Sequence, residues 1–537
     1  MNFKSIRDQA KIIRDHLTLK PVEECFIAFI RNTTFDNPQC KKLNILVQAS
    51  QDYYYLVIFS SILRSLKKNY SVKISWIMMA FAYRKHGKSM MLKTTSAYER
   101  KWTKIYQSFG GKTVFTHLYW WFTLDRGATQ DAELSFQNLK SKMQLVQTEY
   151  CGIKIGDLIY DTYLRFKPAA TVNLTDDFLK LLLVHAFTTA KKAKVLFEKN
   201  KYDFLLTSYT SYIHHGIVAR AALLSGTRVF STGGHSQLSK EVTLPFPNHN
   251  KDFPVYKEQF AALSPDEQAK GKLLAKQQLE ARFTGKIDLS TSYMKRSAYE
   301  ANGGTEFLFE SSPKKRVVIF LHCFFDSPHI YRKMIYADFY EWLKATLTIL
   351  NTAENQAKYD VYVKPHPNGF DGNEEIIEEI TRHFPFIHVI PKETNNLQLI
   401  KQGFDLAITV YGTLGHEFPY FGIPVLNAGD NPHINYSFST HAETEEQYQN
   451  YLNNIDLVKK PTEQSREEIL EFYFMHSLYM IAGKLPPEEN KIIVDLIVST
   501  VIEGKLQKYI DDCERDPEYL KKTDELIFKS FSAVLNQ

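Results

Sequence analysis

The chain of 537 residues has little that would take it out of water or tie it to a metal. No stretch approaches the ~18 consecutive apolar residues of a membrane span. Met1-Asn-Phe-Lys-Ser-Ile-Arg-Asp8 is followed by no apolar run of the kind a secretory signal carries. The five cysteines, Cys25, Cys40, Cys151, Cys323 and Cys513, are scattered and odd in number, and no pair has metal-ligand spacing. This argues against a disulfide framework and a zinc site, and reads as reduced thiols in a cytoplasm. The net charge of +6 is small for the length and forms no concentrated basic run, so nucleic acid is not an expected partner. There is no repeat of solenoid period and no low-complexity tract.

What is present is alternation. Lys42 to Gln48 reads as a strand, Gln48 to Asp52 as its turn, and Tyr54 to Leu66 as a helix. Val72 to Phe81, a helix over Ser96 to Phe109 and a strand at Lys112 to His117 complete a βαβαβ opening, the mark of a parallel, doubly wound sheet. A helix from Asp176 to Lys199, a strand at Phe204 to Thr207, a helix over Tyr212 to Leu224 and a strand at Arg228 to Ser231, ended by Gly233-Gly234, continue it. Between 245 and 312 no strand is evident, and Pro245, Pro247, Pro254, Pro265 and Gly303-Gly304 punctuate the stretch. A second sheet starts at Arg316 to His322 and runs on through Val361, Ile387 to Ile390, Leu406 and Val425. Helical periodicity takes over from about 462. The expected division is a helical segment at 1–40, a Rossmann-like domain at 41–245, a linker or insert at 246–312, a second Rossmann-like domain at 313–460 and a helical segment at 461–537. Phe3, Ile6, Ala10, Ile13 and Leu17 share one face of the first segment, read as docking on its own domain rather than on a membrane.

Two motifs carry chemistry. Val361, Tyr362 and Val363 suit a strand that ends at Lys364-Pro365-His366-Pro367, where each proline holds the residue before it extended. A lysine and a histidine fixed at the carboxyl end of a strand sit where open α/β sheets bind ligands, and they suit an anion such as phosphate. A rigid surface turn is the plainer alternative. Leu406 to Val410 reads as a buried strand. Gly412, Thr413 and Gly415 follow as a small turn, and a helix begins near His416 and Glu417. Strand, turn and helix N-terminus together make an anion site. Glu417 suits ribose hydroxyls, unless it only complements the helix N-terminus.

Lys-Pro-His-Pro after a strand, then Gly412-Thr-Leu-Gly-His-Glu417 and Phe421-Gly-Ile-Pro-Val425, resembles bacterial capsule and surface-polysaccharide glycosyltransferases of the GT-B architecture. The Lys-x-His-Pro motif is similar to that of the capsule Kdo-transferases and of the teichoic-acid polymerases that use CDP-glycerol. Leu321 to His329 and Tyr336 to Leu343 extend the resemblance, as do Gly152 to Asp161 and Tyr212 to Arg220 in the first half. It runs from about 310 to 430 and is patchy elsewhere.

The resemblance implies an α/β fold of two Rossmann-like, doubly wound domains facing a cleft, with C-terminal helices. It implies an inverting transferase that moves a sugar from a nucleotide-activated donor to a surface polysaccharide or glycolipid. A CMP-sugar is favoured, with UDP- and GDP-sugars open. No cofactor is expected beyond this co-substrate, and no metal, because there is no Asp-x-Asp motif. The expected place is the cytoplasm, with peripheral contact at the inner membrane face left open. A nucleotide-sugar 2-epimerase, a CDP-alditol phosphotransferase and a non-catalytic glycan-binding scaffold are the alternatives.

Lys364, His366, Gly412, Thr413, Gly415, His416 and Glu417 are the expected donor-binding residues, with Asp326 and His329. The general base should come from the first domain: Asp52, His215 or His214. The Kdo-transferases' Gln-x-x-x-x-Asp is represented only by Gln48-x-x-x-Asp52, one residue short. Competing readings make Asp52 a helix N-cap, pack His214 and His215 under the Gly216 turn, and make Asp326 and His329 a capped helix start. His322 reads as core, His235 as a weaker acceptor-side candidate and Arg220 as structural.

Overall fold

The computed structural model describes residues 14, 17–35, 40–78, 100–116, 125–167, 169–233, 238–249, 253–286, 297–300, 307–331, 333–367, 373–483, 496 and 505–535. The chain divides into two compact units, one of residues 1–166, 174–249 and 485–537, the other of residues 167–173 and 250–484.

In the first unit, β1 (Lys42–Ala49), β2 (Ser71–Met78) and β3 (Lys112–Thr116) form half a sheet. A two-stranded hairpin follows, β4 (Glu149–Tyr150) and β5 (Ile153–Lys154). The sheet resumes with β6 (Phe204–Thr207), β7 (Arg228–Thr232) and β8 (Ser239–Val242), in the order β3-β2-β1-β6-β7-β8. All neighbours are parallel except β7 and β8. Omitting the hairpin, this is the doubly wound order 3-2-1-4-5-6. Ile45, Leu46 and Val47 are fully buried, as expected of a central strand covered on both faces. The helix Pro517–Leu535 completes the core: Phe531 lies 5.7 Å from Phe204 and 5.4 Å from Phe230, ring centre to ring centre. Buried Arg64 donates to Asp524 at 2.9 and 2.7 Å.

The second unit repeats the plan. β9 (Lys315–Phe320), β10 (Tyr359–Lys364), β11 (Ile387–Val389), β12 (Leu406–Thr409), β13 (Val425–Asn427) and β14 (Thr440–His441) lie in the order β11-β10-β9-β12-β13-β14, all parallel. The helix Phe339–Leu350 starts where Asp338 accepts the Glu341 N–H at 2.8 Å, so the Asp of the Tyr336 to Leu343 stretch is its N-cap.

Several expectations need correction. The linker or insert expected at 246–312 is not a separate unit among its described residues. Its described part holds the helices Tyr256–Ala261 and Pro265–Phe283 and belongs to the second unit from residue 250. Pro265 opens the long helix rather than interrupting it, behind a Ser264–Glu267 capping box. The segment 461–537 is divided, its residues to 484 going with the second unit and the rest with the first. The helix Tyr212 to Leu224 opens as a wider π turn over Tyr212–Gly216, with Tyr212 at φ 62°. The short edge strands β8 and β14 give too few residues for a periodicity. Phe3, Ile6, Ala10, Ile13, Ser96, His117, Gly234 and His235 lie outside the described residues. No helix among the described residues is long and apolar enough to cross a membrane.

Candidate functional site: a cavity at the switch point of the second sheet

β9 and β12 are neighbours, and the chain leaves them in opposite directions along the sheet. Beyond their carboxyl ends a crevice must open. A cavity of about 670 Å³ lies there, lined by the segments that follow β9, β10 and β12. Its size suits a small ligand.

Lys364 ends β10, paired with Phe320 of β9. It is 2% exposed and lines the cavity. Its carbonyl accepts the Leu321 N–H at 3.0 Å, while its ammonium has no hydrogen bond or salt bridge among the described residues. Burial pulls its pKa down to about 8, with Glu393 opposing. A buried cation that touches no counter-ion is costly, and an anion in the cavity would relieve that cost. His366 lines the same cavity, half-buried.

The turn after β12 supplies the opposite wall. The N–H groups of Gly415, His416 and Glu417 are taken by the carbonyls of Gly412 and Thr413 at 2.9–3.2 Å. The Gly412 N–H donates to Thr409 Oγ1 at 3.3 Å, and a Cβ on Gly412 would come within 2.8 Å of that oxygen. Gly412, Thr413 and Glu417 line the cavity, and so does Asp326. No helix starts at Asp326, which instead accepts the N–H of Ser327 at 2.9 Å, so the capped-start reading fails.

Three expected residues are not part of the cavity wall. His329 is absent from it. Gly415 faces the other way: a Cβ there would lie 2.3 Å from His433 Nε2. His416 is buried behind it among aromatic rings, 5.1 Å from Phe472 and 5.9 Å from Tyr473. Glu417 does not present a bare carboxylate. Arg282 Nε donates to Oε1 at 2.6 Å and the Tyr299 hydroxyl to Oε2 at 2.8 Å. Burial opposes the charge, yet Arg282, His416 and these hydrogen bonds hold the pKa of Glu417 below the usual carboxylate value.

Four residues of this site were missed. His322 lies beyond β9 rather than in a strand, and it lines the cavity. The N–H groups of Val410 and Tyr411 donate to its Nε2 at 3.3 and 3.1 Å, which puts its proton on Nδ1. Burial, with His366 beside it, pushes its pKa down to about 3. Arg282 and Asn396 also line the cavity, and Tyr299 holds Glu417 from behind. Arg282 and Tyr299 flank a stretch that resembles no motif, so only folding reveals them. His322 lies inside the Leu321 to His329 stretch that carries the resemblance.

The base candidates belong to the first unit. Its own switch point lies between β1 and β6. Asp52 follows β1 and accepts the Tyr54 N–H at 2.8 Å as N-cap of the helix Tyr53–Asn69. Gln48 is fully buried and donates to the His214 carbonyl at 2.7 Å, so it fixes the turn after β6. His214 and His215 are both buried, their rings 4.4 Å apart. His215 Nδ1 has no hydrogen bond among the described residues. Burial lowers its pKa to about 4.

The fold is thus α/β, with two Rossmann-like, doubly wound domains and C-terminal helices, the plan that GT-B proteins share. No family model matches the chain. No curated protein matches it. Similar solved structures include the Thermosulfurimonas dismutans KpsC, beta Kdo 2,4 transferase, at 14% identity over 55% of this chain and 87% of that one, with a TM-score of 0.33. A UDP-N-acetylglucosamine 2-epimerase covers 86% of this chain and 96% of its own at 14% identity, with a TM-score of 0.22. The wall teichoic acid polymerase TagF covers 94% and 100% at 11% identity, with a TM-score of 0.19. At these values the likeness says nothing of activity.

Proposed function

We propose that this chain is a GT-B glycosyltransferase whose second domain binds a nucleotide-activated sugar, a CMP-sugar before UDP- or GDP-sugars. The acceptor is a surface polysaccharide or glycolipid. The observation that carries the reading is the meeting of Lys364, His366 and the Gly412-Thr413 turn in one cavity at the switch point. A leaving nucleotide develops negative charge, and preorganised cations stabilise it without a metal. Asp326 and His322 border the same space and are assigned to the donor. The general base is assigned to Asp52 or His215, with His214 behind them, and inversion follows from a single displacement by the acceptor hydroxyl.

A thermal-shift panel of CMP, UDP, GDP and CDP-glycerol tests the donor. A ligand that binds only the native state raises the melting temperature by mass action. CMP should give the largest shift, and Lys364→Met should reduce it sharply. No shift with any nucleotide would refute the donor site. Because Asp52 serves as a helix cap, a scaffold without turnover is the second reading. Release of CMP from a CMP-sugar in the presence of a glycan acceptor separates the two.

A further inference from the structure

The sequence places a ribose contact at Glu417, but the protein occupies both oxygens of that carboxylate. Arg282 Nε holds one at 2.6 Å and the Tyr299 hydroxyl holds the other at 2.8 Å. Arg282 comes from the last turn of the helix Pro265–Phe283. Its side chain is 7% exposed and forms part of the cavity wall with Lys364. Its Nη2 reaches Thr413 Oγ1 at 3.4 Å, in the turn that closes the site.

The guanidinium is planar, with its donors in a fixed fork. A carboxylate on Nε therefore fixes where the terminal nitrogens point. We propose that Arg282 is a second phosphate anchor of this cavity, and that Glu417 is the positioning residue that aims it rather than a contact to ribose. This rests on the cavity being a nucleotide-donor site. The charges divide the work. Glu417 neutralises Arg282, so the desolvated pair is stable before a ligand arrives. Lys364, whose ammonium touches no carboxylate among the described residues and feels only Glu393 from farther off, keeps the charge that draws an anion in. Arg282 then adds directed, charge-assisted hydrogen bonds, which a lysine's point charge cannot supply in the same geometry.

Three probes separate the roles in calorimetric titration: inorganic pyrophosphate, CMP, and cytidine, which has ribose but no phosphate. Arg282→Ala and Glu417→Ala should each weaken pyrophosphate and CMP by about tenfold or more and leave cytidine unchanged. Glu417→Gln still accepts from Nε and should stay within about threefold of wild type. Should the alanine variants fail to fold, Arg282→Lys keeps the charge without the fork, and it should weaken pyrophosphate at least about fivefold. Pyrophosphate affinity untouched by Arg282→Ala or Arg282→Lys overturns the proposal. So does a Glu417→Ala or Glu417→Gln variant that loses only cytidine and CMP, which would restore the ribose contact. A wild-type protein that binds neither pyrophosphate nor CMP removes the donor-site reading itself, whereas CMP binding that ignores Arg282 removes the anchor alone.

Discussion

Arg220 and Asp157 form a two-pronged ion pair, Nη1 to Oδ1 and Nη2 to Oδ2 both at 2.7 Å. It joins the two first-half motifs, clamping the helix after the His214 turn onto the helix Gly156–Phe166. Gly216 lets that contact close, since a Cβ there would lie 2.6 Å from Leu158. The pair is nearly dry, with side chains 6% and 10% exposed. Removing one partner leaves a buried charge alone, so Asp157→Ala should cost the first domain about 3–5 kcal/mol. Asp157→Leu combined with Arg220→Met should recover most of that. Urea midpoints of the single and double variants check it.

Lys364 makes anion binding depend on pH. Its pKa of about 8 in the free protein means that the cation is present below that value and lost above it. Nucleotide affinity should hold from pH 6 to 7.5 and then fall, by up to about tenfold per pH unit, as pH rises past about 8. Titrations across that range with wild type and Lys364→Met check it. The variant should bind nucleotide weakly with no inflection near 8, and it should melt higher because a buried cation is gone.

The pH–rate profile should be flat where an ordinary histidine base would bend it. The sequence suggests a fall near pH 6.5 for a histidine, but His215 is buried and its pKa is about 4. It is unprotonated and able to accept a proton at every pH above that. A His215 base would therefore leave no inflection near 6.5, and substitution must decide between His215 and Asp52. His215→Gln or Asp52→Asn, whichever removes the base, should lower kcat by about 10²–10⁴-fold while leaving nucleotide affinity unchanged.

Acid should destabilise the protein through its buried histidines. Burial lowers His215 and His441 to about 4, and burial with neighbouring histidines holds His433 well below 6.5. The unfolded chain takes up these protons first as pH falls. The stability they contribute is therefore fully present above about 6.5 and drains away from there toward 4, at up to about 1.4 kcal/mol per pH unit for each residue. Unfolding at pH 7, 6 and 5 measures the slope, and His433→Phe should make it shallower.

The doubly wound sheets were legible because parallel strands announce themselves as apolar runs with helices between. Lys364, His366, Gly412 and Thr413 were legible because a motif states its own backbone geometry: a strand end beside prolines, a glycine turn beside a strand. His416 and Gly415 were misassigned because a short helix turns neighbouring side chains to opposite faces, and spacing from a turn does not say which face meets the cavity. Arg282 could not be read, since it reaches Glu417 across 135 residues and only the packing of a long helix brings it there. The partition of the C-terminal helices was equally hidden, because an amphipathic face does not name its partner.

The pairing of Arg64 with Asp524, 460 residues apart, has a consequence for synthesis. The first sheet is complete once residue 242 has emerged, but the helix that covers Phe204 and Phe230 comes last. At ribosomal rates of ~5–20 residues per second, that face waits roughly 15–60 s while the whole second domain is made. During that interval the nascent chain carries an uncovered apolar surface and an unpaired arginine. The nascent chain thus exposes a surface that the finished one covers, and the second domain, although later in the chain, is the first that can fold to completion.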